Sequence, residues 1–457
     1  ALTKRTAALR KHEKMKARRA ARILKPCPQG WDSILRGDGF FLACSLLGTN
    51  HPFKLLHERF MLVGVVGKTN VGKSTFFKAA TLIPVAIDDV PFTTIKPNRG
   101  IAAVRTPCVC RDLGVKDEPR NSKCIDGNRF VPVEMLDVAG LVKGAWKGRG
   151  LGNQFLDDLR QADALIHVVD AAGSTDEDGN RVPPGSRDPL EDVKEIEEEI
   201  TRWITSILKR DWEKSVRTSE TVRGDPLVVL SEKLAGLSVS RGEVAAALEK
   251  TGLMGTRLSS WREEELNAFA SAIYALKPKV IAANKADMKE AEANIESMRK
   301  SLPIPVIPTI AEAEVALRLA ADRGLIEYLP GDPTFKIKTG AQLTSAQEDA
   351  LKRIQQMLEK WGSTGVQQAI NEVVLNQYGA IVVYPVEDAN KYSDSKGRVL
   401  PDAYLVRSGT TPKEFAYKIH TDLGEGYLYA VDAVTKQRLP EDKPLKNRVV
   451  IKIVSSK

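Results

Sequence analysis

The eight residues Gly67-Lys68-Thr69-Asn70-Val71-Gly72-Lys73-Ser74 constrain this chain more than any other stretch. They fit G-x-x-x-x-G-K-[ST] and lie between an apolar run, LVGVV at 62–66, and a helix-compatible run, STFFKAATL at 74–82. A strand, a glycine loop and a helix in that order aim backbone N–H groups and the positive end of a helix dipole at one point. That point is a phosphate site. Further apolar runs at 131–136, 165–169 and 279–283, then VIPT at 306–309, read as buried strands separated by helical stretches. The predicted fold is α/β, a P-loop domain on a mostly parallel sheet.

The chemistry of the loop assigns roles. Gly67, Val71, Gly72 and Thr75 line the phosphates, Lys73 reaches the β- and γ-phosphates, and Ser74 ligates Mg²⁺. Downstream, PFTT at 91–94 offers Thr94, a hydroxyl able to close on Mg²⁺ when a γ-phosphate is present. In LDVAG, Asp137 can hold the metal through water and the Gly140 N–H can sense the γ-phosphate. Asn284-Lys285-Ala286-Asp287 follows the strand KVIAA, and the Asp287 carboxylate can accept both N1–H and N2–H of guanine. Adenine lacks that pair, and a site built for two hydrogen bonds rejects an analogue that cannot make them. In this order the motifs predict binding of GTP and GDP with Mg²⁺.

Other segments suggest the organisation. Asp188-Pro189-Leu190-Glu191 reads as a helix N-cap, an N1 proline and a capping-box glutamate. Val193, Ile196, Ile200, Ile204 and Ile207 then recur at helical spacing. We expect GTPase sequence at 61–188, a helical, coiled-coil-like insertion at 189–276, GTPase sequence and connecting helices at 277–377, and a small α+β domain at 378–457. Residues 1–60 hold 13 Lys/Arg against 4 Asp/Glu, which accounts for the whole chain's net charge of +9. Met61 stands directly on the first core strand. Residues 1–60 therefore read as an extension from a misplaced start or as disordered sequence, and their charge is no argument for nucleic-acid binding.

GVVGKTNVGKSTFF, PFTTIKPNRG, LDVAGLVKGAWKGRGLGNQFLDDLR and ALIHVVDA resemble the Obg family of GTPases, in particular its archaeal YchF-like branch. PKEFAYKIHTDLGEGYLYAVDA, ending in LKNRVVIKIVS, resembles a TGS domain, a β-grasp module. The resemblance covers about 61–457. It implies a cytoplasmic GTP-hydrolysing switch that associates with ribosomes or RNA through the helical insertion and the TGS domain. Leu141 stands where many GTPases carry a catalytic glutamine. Several relatives compensate with K⁺ held partly by a phosphate-loop asparagine, the position of Asn70; the alternative is that Asn70 only braces the loop. Ala311 of Thr309-Ile310-Ala311 matches the residue whose N–H meets guanine O6. Trp146 replaces a histidine found in many relatives. The other readings are a nucleotide-gated scaffold without appreciable hydrolysis and an ATP-preferring YchF-type hydrolase. A monomer is expected.

Weaker signals remain. Cys108, Cys110 and Cys124 offer three thiols that Asp112, Asp117 or Asp126 could complete. The spacing lacks the C-x₂₋₄-C pair that zinc sites favour, so separate thiols near a surface loop are preferred over zinc. His167 inside LIHVVD reads as a core residue, and the acidic run Glu195–Glu199 as a solvated helix face. No apolar run reaches 18 residues, which argues against a membrane-spanning helix.

Overall fold

The computed structural model describes residues 61–82, 98–138, 140, 159–221, 225–237 and 239–456. The expectations for residues 1–60, Thr94, Leu141 and Trp146 lie outside them. Among the described residues the central sheet has seven strands. They are β1 (Leu62–Val66), β2 (Arg99–Pro107), β3 (Lys123–Ile125), β4 (Asn128–Asp137), β5 (Ala164–Asp170), β6 (Lys279–Asn284) and β7 (Val306–Pro308). Their order is β2-β4-β1-β5-β6-β7, with β3 paired to β4. The run from β4 to β7 is parallel, whereas β2 and β3 join β4 antiparallel. Strands β1, β5 and β6 are buried at every position, as continuous apolar runs in a sheet covered on both faces should be. His167 is among them, buried and held neutral, with its pKa lowered to about 3 chiefly by burial.

Helix α1 (Lys73–Thr81) follows the phosphate loop, and the short α2 (Val109–Leu113) precedes β3. Between β5 and β6 run α3 (Pro189–Lys209), α4 (Trp212–Ser219), α5 (Pro226–Leu234), α6 (Arg241–Lys250) and α7 (Glu263–Leu276). Asp188 caps α3 by accepting from the Leu190 N–H at 3.0 Å. Glu191 lies 3.8 Å from Arg187 rather than closing a capping box. Val193, Ile196, Ile200 and Ile204 are buried, as their spacing predicts.

Among the described residues the insertion is helical, but it is a cluster of five α-helices and not a coiled-coil hairpin. Its two longest helices, α3 and the 14-residue α7, are separated in the chain by three shorter ones, so no continuous heptad seam runs through it. The centre is filled instead by Trp203, Trp261 and Phe269, with the Trp212 and Phe269 rings 5.9 Å and 5.5 Å from that of Trp261. A second correction concerns the acidic run. Glu199 is buried, and Glu195 turns inward to meet Lys68 and Arg187.

Helix α8 (Ala291–Ser301) links β6 to β7, and after β7 come α9 (Ala311–Asp322), a short hairpin of β8 (Ile326–Glu327) and β9 (Lys336–Ile337), α10 (Ser345–Trp361) and α11 (Val366–Asn371). The C-terminal sheet contains β10 (Ala380–Pro385), β11 (Tyr404–Arg407), β12 (Tyr427–Asp432), β13 (Arg438–Leu439) and β14 (Val449–Ser455), ordered β11-β10-β14-β12-β13. Helix α12 (Pro412–Ile419) buries Phe415 in the core of this sheet. A parallel β10–β14 pair flanked by antiparallel neighbours and one packed helix is a β-grasp arrangement. Among the described residues, no helix is long and apolar enough to cross a membrane.

Candidate nucleotide site

The phosphate loop leaves β1 at Gly67 and enters α1 through Gly72, whose φ of 97° favours glycine. A Cβ on Gly72 would overlap the Asn284 side-chain nitrogen, so that position is fixed by sterics as well as by dihedral angle. Asn284 keys the two halves of the site together. Its Nδ2 donates to the Val71 carbonyl at 2.9 Å, and its Oδ1 accepts from the Ala311 N–H at 3.1 Å. This changes the reading of Ala311. Its N–H, expected at guanine O6, here satisfies the buried Asn284 carboxamide, because a buried acceptor without a donor is costly.

Lys73 Nζ, buried, donates to the Lys68 carbonyl at 2.6 Å. Burial pulls its pKa from 10.5 down to about 8, opposed by the nearby Asp137 carboxylate. Burial pushes Asp137 the other way, up from the usual carboxylate range, while the Ser74 hydrogen bond and Lys73 hold it down. Ser74 Oγ donates to Asp137 Oδ2 at 3.1 Å. A Cβ built on Gly140 would stand 3.3 Å from Lys73 Nζ, so this backbone passes close to the ammonium. Lys73, Ser74, Asp137 and Gly140 thus converge at the N-terminus of α1. Thr75 follows in its first turn, and Val71 is buried beneath the loop.

At the base end, Lys285 adopts a left-handed conformation, φ 62°. Its Nζ reaches Asp170 Oδ2 at 2.8 Å and Ser174 Oγ at 3.0 Å. Asp287 is exposed and, among the described residues, has no hydrogen-bond or ion-pair partner. Asn70 also has positive φ, 62°, and its Nδ2 donates to the Gly179 carbonyl at 2.8 Å.

Three supporting groups were not singled out from the sequence. Asp170, buried at the end of β5, accepts from Ala172, Ser174, Thr175 and Lys285. The carboxylate closing the apolar run LIHVVD was the available signal. Lys68 is buried, with Nζ 3.0 Å from Asp192 and 3.4 Å from Glu195 on α3. Arg187 meets the same two carboxylates. These pairs join the phosphate loop to the helical insertion, and nothing local in the sequence announces them.

A glycine phosphate loop on the first parallel strand, an aspartate at the end of its neighbour and an N-K-x-D turn after β6 define the class as a P-loop GTPase fold, here with a C-terminal β-grasp module. Residues 62–211 match the family described as 50S ribosome-binding GTPase, 282–388 match Obg-like GTPase YGR210-like, G4 motif-containing domain, and 396–455 match the TGS domain. An uncharacterized GTP-binding protein of Methanocaldococcus jannaschii is 48% identical over 397 residues, 86% of this chain and 99% of its own length. A similar protein of Schizosaccharomyces pombe is 36% identical, across 77% of this chain and 88% of its own. The crystal structure of a GTP-binding protein from Pyrococcus horikoshii has 39% identity and a TM-score of 0.68, covering 86% of this chain and all of that one. The chain belongs to the Obg-like, YchF family of GTPases.

Proposed function

We propose that this protein is a guanine-nucleotide switch that binds GTP and GDP with Mg²⁺, hydrolyses the β–γ phosphoanhydride slowly, and engages ribosomes or RNA in the cytoplasm as a monomer. The observation that carries the nucleotide part is the convergence of Lys73, Ser74, Asp137 and Gly140 at one helix N-terminus, with Asp287 unengaged at the base end. The ribosomal part rests on relatives. Segments of bacterial proteins named ribosome-binding ATPase YchF are 37–40% identical over about 140 residues. The helical insertion and the TGS domain are the surfaces we assign to that partner.

Ser74 Oγ and Asp137 Oδ2 already lie together, a hydroxyl and a carboxylate oxygen of the hard-donor kind that Mg²⁺ takes, so these residues fit Mg²⁺. When bound, the ion would neutralise charge on the β/γ-phosphate oxygens. In the reading proposed here, Lys73 exchanges the Lys68 carbonyl for those oxygens. The Gly140 N–H faces the γ-phosphate, Gly67, Val71, Gly72 and Thr75 cradle the remainder, and Thr94 closes the site.

Lys73 makes nucleotide affinity depend on pH. Phosphate binds the ammonium form. Below about pH 8 the proton is already in place and contributes no slope; above it, binding must take up a proton. Affinity then falls by up to about tenfold per pH unit. Calorimetric titration with GDP should give a flat constant from neutral pH to about 8 and a decline beyond. A flat profile through about pH 9.5, together with unchanged GDP affinity in Lys73→Met, would remove Lys73 from the phosphate site.

Hydrolysis without a glutamine to orient the attacking water must gain its transition-state stabilisation elsewhere, and a cation at the phosphates can supply it. Asn70 Nδ2 is occupied by Gly179, while Oδ1 accepts no hydrogen bond among the described residues and is available to K⁺. GTP turnover in KCl should exceed that in NaCl at equal ionic strength by about tenfold or more. Asn70→Ala should abolish the difference. A bracing role would instead lower binding equally in both salts. Near-zero turnover in both, with ribosomes present and GTP still bound, would establish a binding scaffold in place of an enzyme.

A further inference from the structure

The insertion between β2 and β4 folds around a sulfur cluster remote in chemistry from the nucleotide site. The sequence favoured separate surface thiols, but the structure gathers them. Cys108 and Cys110 are buried, and Cys124 is half-buried on β3. The Sγ atoms of these three and a carboxylate oxygen of Asp117 all lie within 4.8 Å of one another. Cys110 Sγ stands 3.8 Å from Cys124 Sγ, and Cys108 Sγ 3.2 Å from Asp117 Oδ2. Tetrahedral zinc with Zn–S bonds of about 2.3 Å places two sulfurs about 3.8 Å apart, and a sulfur and an oxygen about 3.6 Å apart. Of the three carboxylates the sequence offered, Asp112 is paired with Arg448, and Asp126 lies outside the four-residue cluster; Asp117 alone joins it.

We propose that Cys108, Cys110, Asp117 and Cys124 hold one zinc ion in a closed structural site. Four protein ligands leave no open position, and three thiolates with one carboxylate select a soft tetrahedral ion over Mg²⁺ or Ca²⁺. The surroundings suit the charge. Four anionic ligands carry −4; the ion supplies +2, and the fully buried Arg129, 2.8 Å from Asp117, supplies +1. Arg129 acts as the outer partner that orients the ligating carboxylate. Beside Cys108, the buried Tyr384 hydroxyl makes no hydrogen bond of standard geometry among the described residues. A metal-bound Cys108 thiolate is a stronger acceptor for that hydroxyl than the neutral sulfur of a thiol donating to Asp117.

The consequence is mechanical. The same segment forms the seat of the C-terminal region. Glu118 N–H donates to the Val399 carbonyl at 2.8 Å, and Arg120 N–H to the Pro401 carbonyl at 2.7 Å. Arg129 Nη2 reaches the Leu400 carbonyl at 2.8 Å, and Arg120 pairs with Asp402 at 2.5 Å. Zinc closing the loop 108–124 fixes that seat, and with it the placement of the β10–β14 sheet against the edge of the central one.

The test uses the full chain and is independent of nucleotide. Protein purified without chelator should carry about one zinc per chain by elemental mass spectrometry. Replacement by Co²⁺ should give intense tetrahedral ligand-field bands and a thiolate-to-cobalt charge-transfer band. Cys124→Ser should lose most of the metal, and Asp117→Asn should keep the charge-transfer band while binding more weakly. Stripping zinc should lower Tm by more than about 5 °C. The proposal is overturned if the native chain holds no stoichiometric metal, binds no Co²⁺ spectroscopically and either titrates all five of its thiols freely or forms a Cys110–Cys124 disulfide. The wild-type metal content and spectrum decide even if both variants fail to fold, and retained GDP binding in a zinc-free chain would leave the nucleotide reading untouched.

Discussion

Lys73→Met should eliminate nearly all GTP turnover while making the nucleotide-free protein harder to unfold. The two effects share a cause. Lys73 is buried at the loop with a single carbonyl acceptor at 2.6 Å, and its depressed pKa measures what the fold forgoes to keep an ammonium there. The shift from 10.5 to about 8 corresponds to an upper bound on the order of 3 kcal/mol. A group whose folded pKa is lowered carries its full penalty below about pH 8. It loses the penalty as pH rises to 10.5, where folded and unfolded chains are both neutral. Methionine fills the volume without the charge, so the apo Tm should rise by a few degrees at neutral pH and the gain should shrink toward pH 10.5. Turnover should fall on the order of 10²–10³-fold, as expected for removing a donor aimed at developing phosphate charge. Melting curves across pH and single-turnover hydrolysis check both halves. A variant that loses stability at neutral pH would show that the ammonium is better compensated than burial and one carbonyl indicate.

What the sequence disclosed follows from how far apart the cooperating residues lie. The phosphate loop and the N-K-A-D turn were readable because each is a short run whose backbone must take one shape: Gly72 at φ 97° and Lys285 at 62° are local facts. Strands β1, β4, β5 and β6 announced themselves as apolar runs. Strand β2 did not, since RGIAAVRTP opens on a charge, is rich in alanine and places Arg105 mid-strand. Its pairing with β4 over nine residues is what makes it a strand. The Lys68–Asp192 contact spans 124 positions, and the seat between Arg129 and Leu400 spans 271. No periodicity or motif links such pairs. The sulfur cluster is intermediate: its residues were visible, but C-x-C lacks the customary spacing, and only the fold of α2 against β3 brings Cys124 back to the first two.

Asp287→Asn should change which base the protein reads. The carboxylate stands in the turn three residues beyond β6, exposed and without a partner among the described residues. The turn before it is held rigid by Lys285 on Asp170 and by the Met288 N–H on the Lys285 carbonyl, 3.1 Å. Two acceptor oxygens facing the same way match the N1–H and N2–H donors of guanine. An asparagine presents one acceptor and one donor, so its amide N–H would face the guanine amino group. That leaves two donors opposed and unpaired, which is worth about 3–4 kcal/mol, or on the order of 10²–10³ in GTP affinity. Xanthine carries a carbonyl where guanine carries the amino group. The variant can accept from its N1–H and donate to that oxygen, so XTP should bind the variant more tightly than the wild type by a similar factor. Adenine has no N1–H, and ATP should compete poorly with labelled GTP on the wild type. Competition titrations with GTP, XTP and ATP on both proteins decide the matter. If XTP gains nothing on Asp287→Asn and ATP displaces GTP at equal concentration from the wild type, the residue does not read the base, and the protein is an ATP user despite its intact N-K-A-D.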